Sequence, residues 1–216
     1  MLDALVAQLQ PGDRVVFDAD GTLWRGDVGE DFLRWALHHR LFEGRYETYE
    51  HLMASAPARA LAWAVEVMAG LREDELLAHA RAFFTERFTG RVFPWVRPFL
   101  AKLHRQEVWI CSASPRWVVL PGAEHLGIDP ARVIGVTCEV REGRLSGEVH
   151  HPVPAGPGKV IWLQKKGVAP ALAAGNGDTD VDMLQFSRAQ LVIAPPDSSN
   201  QLVRHARARG WPVLVA

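Results

Sequence analysis

Short apolar runs and longer amphipathic stretches alternate along most of this chain. Apolar runs predict strands at 14–17, 108–111, 133–136, 171–174, 191–193 and 212–215. A hairpin is predicted to follow the third of these, with its turn at 142–144. From the second strand onward, strands alternate with helical patterns. This alternation is typical of an α/β fold with a Rossmann-like, doubly wound parallel sheet.

A long stretch from residue 28 to about residue 106 has helical periodicity and no strand of its own. It is too long for one crossover helix, so it predicts a helical subdomain inserted after the first strand. The expected division is a core of residues 1–26 and 96–216 and an inserted unit of residues 27–95.

Two further helix starts are predicted from capping residues. Ser114 suits an N-cap, with Pro115 in the first helical position. Near the C-terminus, Ser198 or Ser199 is expected to begin a helix between the last two strands.

Composition and charge narrow the class of protein. The chain has 216 residues, 48% of them hydrophobic and 23% charged, and its formal net charge is −1. This balance fits a globular domain with its own core and excludes a disordered or fibrous chain. A charge near zero gives no general attraction to nucleic acid or to an anionic membrane. We expect no membrane span and no secretory signal, and therefore a cytoplasmic protein.

Polar side chains follow several of the predicted strands. Asp18 and Asp20 come directly after the first strand, and Ser112 follows the second. Asn176 begins an acidic loop after the fourth strand, and Lys159 opens the helix before that strand. In open α/β sheets ligands bind at the carboxyl ends of the strands, so these side chains are candidates for one site.

The residue types at these positions fit phosphoryl chemistry. Asp18 can act as a nucleophile that forms an aspartyl-phosphate, and Asp20 as the acid that protonates a leaving oxygen. Mg²⁺ prefers such oxygen ligands. Lys159 and the hydroxyl of Ser112 can neutralise and orient phosphoryl oxygens.

Four segments in order resemble the motifs of the haloacid dehalogenase superfamily, in its phosphoserine-phosphatase-like branch. Residues 17–23, Phe-Asp-Ala-Asp-Gly-Thr-Leu, are similar to the first motif, and residues 110–115 to the second. Lys159 is similar to the lysine of the third motif, and residues 175–184 to the acidic fourth motif.

The resemblance implies a Mg²⁺-dependent phosphatase that cleaves a small phosphorylated metabolite through an aspartyl-phosphate. Asp18 would be the nucleophile and Asp20 the general acid/base, and both would contact Mg²⁺, Asp20 through its main-chain carbonyl. Ser112, Ala113 and Lys159 would hold the phosphoryl group. Dehalogenase members lack the second aspartate, so Asp20 indicates phosphate chemistry.

The fourth motif departs from the family pattern, in which an aspartate follows the glycine. Asn176 with Asp180, or Asp178 with Asp182, can be aligned to the two acidic positions. The first register is favoured because Gly175 directly follows the strand. Asn176 and Asp180 are then the expected metal ligands, and Asn176 brings an amide oxygen but no charge.

The substrate pocket is expected to involve Trp24, Asp27, Arg59 and Trp63. By resemblance, Asp27 aligns with a cap carboxylate of phosphoserine phosphatases, whereas Ala64 stands where these enzymes have an arginine. Phosphoserine is therefore expected to be a poor substrate. A phosphotransferase and a weakly active protein that binds a phosphorylated ligand remain alternatives, and the oligomeric state is left open.

Overall fold

A computed structural model describes residues 1–196, 198 and 200–216. Its centre is a six-stranded sheet in the order β3-β2-β1-β6-β7-β8, and all neighbouring strands in it are parallel. A separate antiparallel hairpin is formed by β4 and β5. The strands are β1 Arg14–Phe17, β2 Glu107–Pro115, β3 Val133–Val136, β4 Cys138–Arg141, β5 Arg144–Val149, β6 Pro170–Gly175, β7 Ala189–Ala194 and β8 Val213–Val215.

Five of the helices lie between β1 and β2, as the periodicity predicted. The helices are α1 Leu2–Val6, α2 Val28–His38, α3 Tyr46–Ser55, α4 Pro57–Glu66, α5 Glu73–Arg87, α6 Val96–Lys102, α7 Arg116–Leu126, α8 Pro157–Lys165, α9 Val181–Phe186 and α10 Gln201–Arg209. The helical insertion, α2–α6, and the α/β fold class are thus confirmed. Within the described residues, no helix combines the length and apolar character that a membrane crossing requires.

The central strands are apolar because helices cover both faces of the sheet. Val15, Val16 and Phe17 of β1 are completely buried. Phe17, the last residue of β1, is level with Ile110 of β2 on one side and with Ala174 of β6 on the other. The residues that follow these positions therefore meet at one edge of the sheet.

Both predicted helix starts need correction. β2 continues through Ser114 to Pro115, and α7 begins at Arg116 without a side-chain cap. The hydroxyl of Ser114 has another partner, described below. At α10 the cap is Asn200, whose side chain accepts a hydrogen bond from the Val203 amide at 2.8 Å. Ser198 precedes this cap, and Ser199 lies outside the described residues.

Candidate active site

Asp18 and Lys159 form the buried base of the site. Asp18 directly follows β1, and Lys159 lies in the first turn of α8 with its side chain completely buried. The Lys159 ammonium donates to Asp18 Oδ1 at 2.6 Å and to Asp180 Oδ1 at 2.6 Å. A buried ammonium needs this compensation, since an isolated charge in the interior is strongly disfavoured.

The charges of these three residues are interdependent. Burial opposes the charge of Lys159, but the Asp18 and Asp180 carboxylates outweigh it and raise the lysine pKa. Burial and the charge of Asp180 raise the pKa of Asp18 to about 6, while Lys159 acts in the opposite direction. At neutral pH Lys159 therefore stays charged and favours the ionised form of Asp18.

Asp20 is held by three hydrogen bonds. Its Oδ1 accepts from the Trp24 indole and from the Val28 amide, each at 2.7 Å. Its Oδ2 accepts from the Ser114 hydroxyl at 2.6 Å. These bonds connect the end of β1, the start of α2 and the end of β2 through a single carboxyl group.

Asp20 has no cation beside it within the described part of the chain. Burial, and next the charge of Asp27, raise the pKa of Asp20 well above its ordinary value, although the bonds from Ser114 and Val28 act in the opposite direction. Protonation is therefore easier at Asp20 than at an exposed aspartate. A carboxyl group of this kind is suited to donate a proton.

Asn176 reaches the same point from the end of β6. One terminal atom of its amide lies 2.9 Å from the Asp20 carbonyl oxygen, 3.1 Å from the Thr22 hydroxyl and 3.2 Å from Asp18 Oδ2. A nitrogen there can donate to these oxygens, whereas an oxygen accepts from Thr22 and faces the other two. Gly21 permits this approach: its φ is +70°, and a Cβ on it would lie 2.1 Å from the Asn176 amide nitrogen.

This arrangement fits a magnesium ion. Oxygens that share an octahedral Mg²⁺ lie about 2.9 Å apart, because each Mg–O bond is about 2.0–2.1 Å. The Asn176 amide stands at about that separation from the Asp20 carbonyl and from Asp18 Oδ2. No group of three acidic, histidine or cysteine side chains suited to a metal occurs among the described residues. The candidate ligand set here is instead one carboxylate, one main-chain carbonyl and one amide.

Of the two alignments of the fourth motif, the structure brings Asn176 and Asp180 to the site. Asp178 is exposed and Asp182 is half-buried, whereas Asp180 is 1% exposed. Asp180 Oδ2 accepts from the amides of Asn176 and Gly177, at 2.9 and 3.0 Å. Its other oxygen binds Lys159, so Asp180 positions the loop and the lysine, and its role as a direct metal ligand stays a prediction.

A cavity of about 210 Å³ opens above these residues, between the sheet edge and the inserted helices. Asp18, Asp20, Ser112, Ala113 and Asn176 line it from the sheet edge. Lys159 does not line it and lies behind Asp18. The inserted segment supplies the opposite wall, which consists of Asp27, Gly29, Glu30, Leu33, Tyr49, Leu61 and Ala64.

Of the four expected substrate residues, only Asp27 lines this cavity. Trp24 is completely buried, and its indole holds Asp20 instead of facing the cavity. Arg59 forms an ion pair with Glu66 at 2.7 Å. Trp63 packs in the helical insertion, with its ring 6.5 Å from that of Tyr49. The structure does not bring these three residues to the cavity, because helical periodicity shows which face is buried but not which buried residue meets a cavity.

Sequence reasoning missed two residues of the site. The sequence predicts Ser114 as a helix cap, although its position two residues after Ser112 on a continuing strand is also consistent with a second site hydroxyl. Tyr49 lies in α3, far from every motif, and nothing in the sequence marks it. The Thr22 hydroxyl donates to Asp18 Oδ2 at 3.2 Å, a contact that its place in the first motif makes possible.

The family assignment rests on a match over most of the chain. A family model for haloacid dehalogenase-like hydrolases matches residues 15–185, which include Asp18, Ser112, Lys159 and Asn176. The chain belongs to this family.

Solved structures share the fold at low sequence identity. A protein of unknown function from Bordetella pertussis Tohama I is 21% identical, with a TM-score of 0.79, covering 94% of this chain and 98% of that chain. A phosphoserine phosphohydrolase-like protein from Francisella tularensis subsp. tularensis SCHU S4 is 15% identical, with a TM-score of 0.67 and 94% of each chain covered. A phospho-aspartyl intermediate analogue of phosphoserine phosphatase is 18% identical, with a TM-score of 0.61, covering 95% of this chain and 94% of that chain. A search of curated proteins found no match.

Proposed function

We propose that this hydrolase is a Mg²⁺-dependent phosphomonoesterase that acts on a small phosphorylated metabolite through an aspartyl-phosphate. The observation that carries the proposal is a pair of carboxyl groups with different environments at one cavity. Asp18 is paired with the Lys159 ammonium and its pKa is raised to about 6, whereas Asp20 is half-buried with no cation beside it among the described residues, and its pKa is raised well above the ordinary value. Environments that separate two carboxyl groups in this way indicate a nucleophile and an acid.

In the first step an oxygen of Asp18 attacks phosphorus, and the bond from phosphorus to the leaving oxygen breaks. Asp20 gives its proton to that oxygen, so the product leaves as an alcohol. In the second step water attacks the aspartyl-phosphate while Asp20 takes a proton from it. Inorganic phosphate is released and Asp18 returns to a carboxylate.

The hydroxyl of Ser112 and the main chain of Ala113 line the cavity where they can hold phosphoryl oxygens. Lys159 acts from behind Asp18: it keeps the attacking carboxylate ionised and its orientation constant. Asp18, the Asp20 carbonyl and the amide oxygen of Asn176 would hold Mg²⁺, which when bound would neutralise charge on the phosphoryl oxygens.

The test is release of inorganic phosphate from p-nitrophenyl phosphate, with and without Mg²⁺. We expect Mg²⁺-dependent turnover in the wild type and none in Asp18→Asn, a nearly isosteric change. Release of p-nitrophenol in excess of inorganic phosphate when an alcohol is added would instead show a phosphotransferase. Turnover in Asp18→Asn close to that of the wild type would contradict the mechanism.

A weakly active binding protein remains the second candidate, because the neutral Asn176 lowers the negative charge available to a metal. Inorganic phosphate release that stays at the rate of the uncatalysed reaction at every Mg²⁺ concentration would favour this alternative.

A further inference from the structure

The wall of the cavity opposite the phosphoryl site carries acidic side chains. Apart from Asp18 and Asp20, the titratable side chains that line the cavity are Asp27, Glu30 and Tyr49. No lysine, arginine or histidine lines the cavity among the residues that the structure describes. A leaving group that enters this end therefore meets negative charge and no positive charge.

Asp27 carries a charge with no ionic partner in the described part of the chain. One of its oxygens, Oδ1, accepts from the Glu30 amide at 2.7 Å and so caps α2. The Gly29 amide also donates to this carboxylate, and no side chain of the described residues does. Asp27 can therefore accept a further donor without losing its structural bond.

Glu30 is compensated on the side away from the cavity. The same carboxylate oxygen, Oε1, accepts from the Tyr46 hydroxyl and from Arg34 at 3.0 Å. Arg34 is itself exposed and does not line the cavity, so its charge is directed at Glu30. Glu30 thus contributes less net charge to the cavity than Asp27 does.

Tyr49 supplies an independent indication that a ligand belongs here. The residue is only 6% exposed and lines the cavity, yet its hydroxyl has no hydrogen-bond partner among the described residues. Burial and the neighbouring charge of Asp27 raise its pKa, which keeps the hydroxyl protonated. Because this hydroxyl is unpaired on a side chain that lines the cavity, it is free to contact a ligand there.

The remaining wall is apolar and small. Leu33 and Ala64 are buried, and Leu61 is half-buried. These side chains offer no donor to a carboxylate and leave little room above the phosphoryl site, whose whole cavity is about 210 Å³. A carboxylate placed here would lie beside the Asp27 carboxylate, and no cation among the described lining residues would offset the repulsion.

We propose that the leaving group is a small amino alcohol that carries an ammonium group and no carboxylate, with Asp27 binding the ammonium and Tyr49 contacting the same group through its hydroxyl and ring. An ammonium of this kind is protonated at neutral pH. Asp27 offers the charge, and the aromatic face of Tyr49 attracts a cation as well. The proposal rests on the proposed phosphatase activity and specifies its substrate class.

The experiment compares three esters of similar size, with p-nitrophenyl phosphate as a general substrate. They are 2-aminoethyl phosphate, propyl phosphate, which replaces the ammonium by a methyl group, and phosphoserine, which adds a carboxylate. We expect kcat/KM for 2-aminoethyl phosphate to exceed that for each of the other two by about tenfold or more, which corresponds to about 1.4 kcal/mol.

The variant Asp27→Asn isolates the charge, because asparagine caps a helix about as well as aspartate does. We expect the ratio of kcat/KM for 2-aminoethyl phosphate to that for propyl phosphate to fall about tenfold. Using the ratio removes any effect of Asp27 on Asp20 that both substrates share. Tyr49→Phe keeps the ring and should lower the same ratio about threefold.

Asp31→Asn is the matched control. Asp31 lies one turn further along α2, but it pairs with Arg91 at 2.9 Å and does not line the cavity. This substitution should leave the ratio unchanged.

The outcomes separate the two proposals. No Mg²⁺-dependent hydrolysis of any of the four esters would overturn the proposed function itself. Hydrolysis of p-nitrophenyl phosphate with equal kcat/KM for the amino and propyl esters would overturn only the substrate class. So would phosphoserine as the best of the three, or a ratio that Asp27→Asn leaves unchanged.

Discussion

Replacing Asn176 by aspartate tests how the candidate metal site is built. The amide of Asn176 lies beside Asp18 Oδ2, the Asp20 carbonyl and the Thr22 hydroxyl. Aspartate has the same shape, so Asn176→Asp adds a charge without changing the packing. The variant should respond in opposite directions with and without Mg²⁺.

Without the metal, the new carboxylate faces Asp18 directly. At the observed 3.2 Å, two unit charges repel by about 5 kcal/mol for an effective dielectric constant near 20. Uptake of a proton by one of the two carboxyl groups relieves most of this repulsion, as in other close carboxylate pairs. We therefore expect the metal-free variant to unfold at a lower temperature than the wild type at pH 7.5, and by less at pH 5.

With the metal, the same charge attracts a divalent ion and offsets the repulsion. Part of the attraction is lost to desolvation, so we expect the half-saturating Mg²⁺ concentration to fall about tenfold, or about 1.4 kcal/mol. Thermal unfolding measured over a series of Mg²⁺ concentrations gives both quantities, and calorimetry checks the affinity.

Asp178→Asn is the control, because Asp178 belongs to the same loop but is exposed. It should change neither the metal-free stability nor the Mg²⁺ response. If Asp178→Asn weakened Mg²⁺ binding while Asn176→Asp had no effect on either quantity, the assignment of Asn176 to the metal site would be refuted.

Three further predictions concern the pKa of Asp18, the hydrogen bond from Ser114 to Asp20 and the packing around Trp24. The pKa of Asp18 is raised from an ordinary 3.8 to about 6, so without metal the native state binds a proton at Asp18 more tightly than the unfolded chain does. This proton stabilises the native state at low pH, and the stabilisation is lost as the pH rises through about 6. Because Mg²⁺ needs the ionised form, we expect it to raise the unfolding temperature more at pH 7.5 than at pH 5, and an equal rise at both would contradict this. Ser114→Ala removes a hydrogen bond that lowers the pKa of Asp20, so the pH profile of kcat should shift to higher pH. The maximum of kcat should fall about tenfold, because a hydrogen bond to a charged group contributes about 1.5–3 kcal/mol. An unshifted profile would show that Ser114 does not act through Asp20. Gly122→Ala places a Cβ 2.6 Å from the Trp24 ring, and we expect overpacking to lower the free energy of unfolding, measured by chemical denaturation, by about 1–3 kcal/mol. Gly90→Ala is the control, because a Cβ there would meet nothing within 4 Å, and it should change stability little.

Local features of the chain were enough to predict the sheet edge of the site. Asp18 and Asp20 follow an apolar run so closely that their place at the carboxyl end of β1 is a consequence of the chain's own geometry. The same holds for Asn176 after β6, whereas Ser112 lies within β2, two residues beyond the Ile110 that pairs with Phe17. Alternation of strands and helices predicted that these ends share one edge, because parallel strands are joined by crossovers that return each strand to the same side.

Only the tertiary structure decided which partners these residues have. Periodicity does not give strand order, and the order β2-β1-β6 is what brings Asn176 next to Asp18. Likewise, serine is a residue type favoured at helix N-caps, and the hydrogen bond from Ser114 to Asp20 arises only because β2 continues beside β1. Local capping preference is weak, about 1 kcal/mol, so a hydrogen bond to the half-buried Asp20 carboxyl group can override it.

The residues of the cavity wall show most clearly what amphipathic patterns do not predict. Tyr49 and Ala64 lie on helices whose amphipathic pattern predicts burial and nothing more, since a buried side chain has the same periodicity whether it faces a core or a cavity. Whether α3 and α4 direct them at the sheet edge depends on how the inserted helices pack over it. The candidate catalytic residues could therefore be predicted from the sequence, because each lies within a few residues of the end of an apolar run. The residues of the opposite cavity wall are instead placed by packing between distant segments.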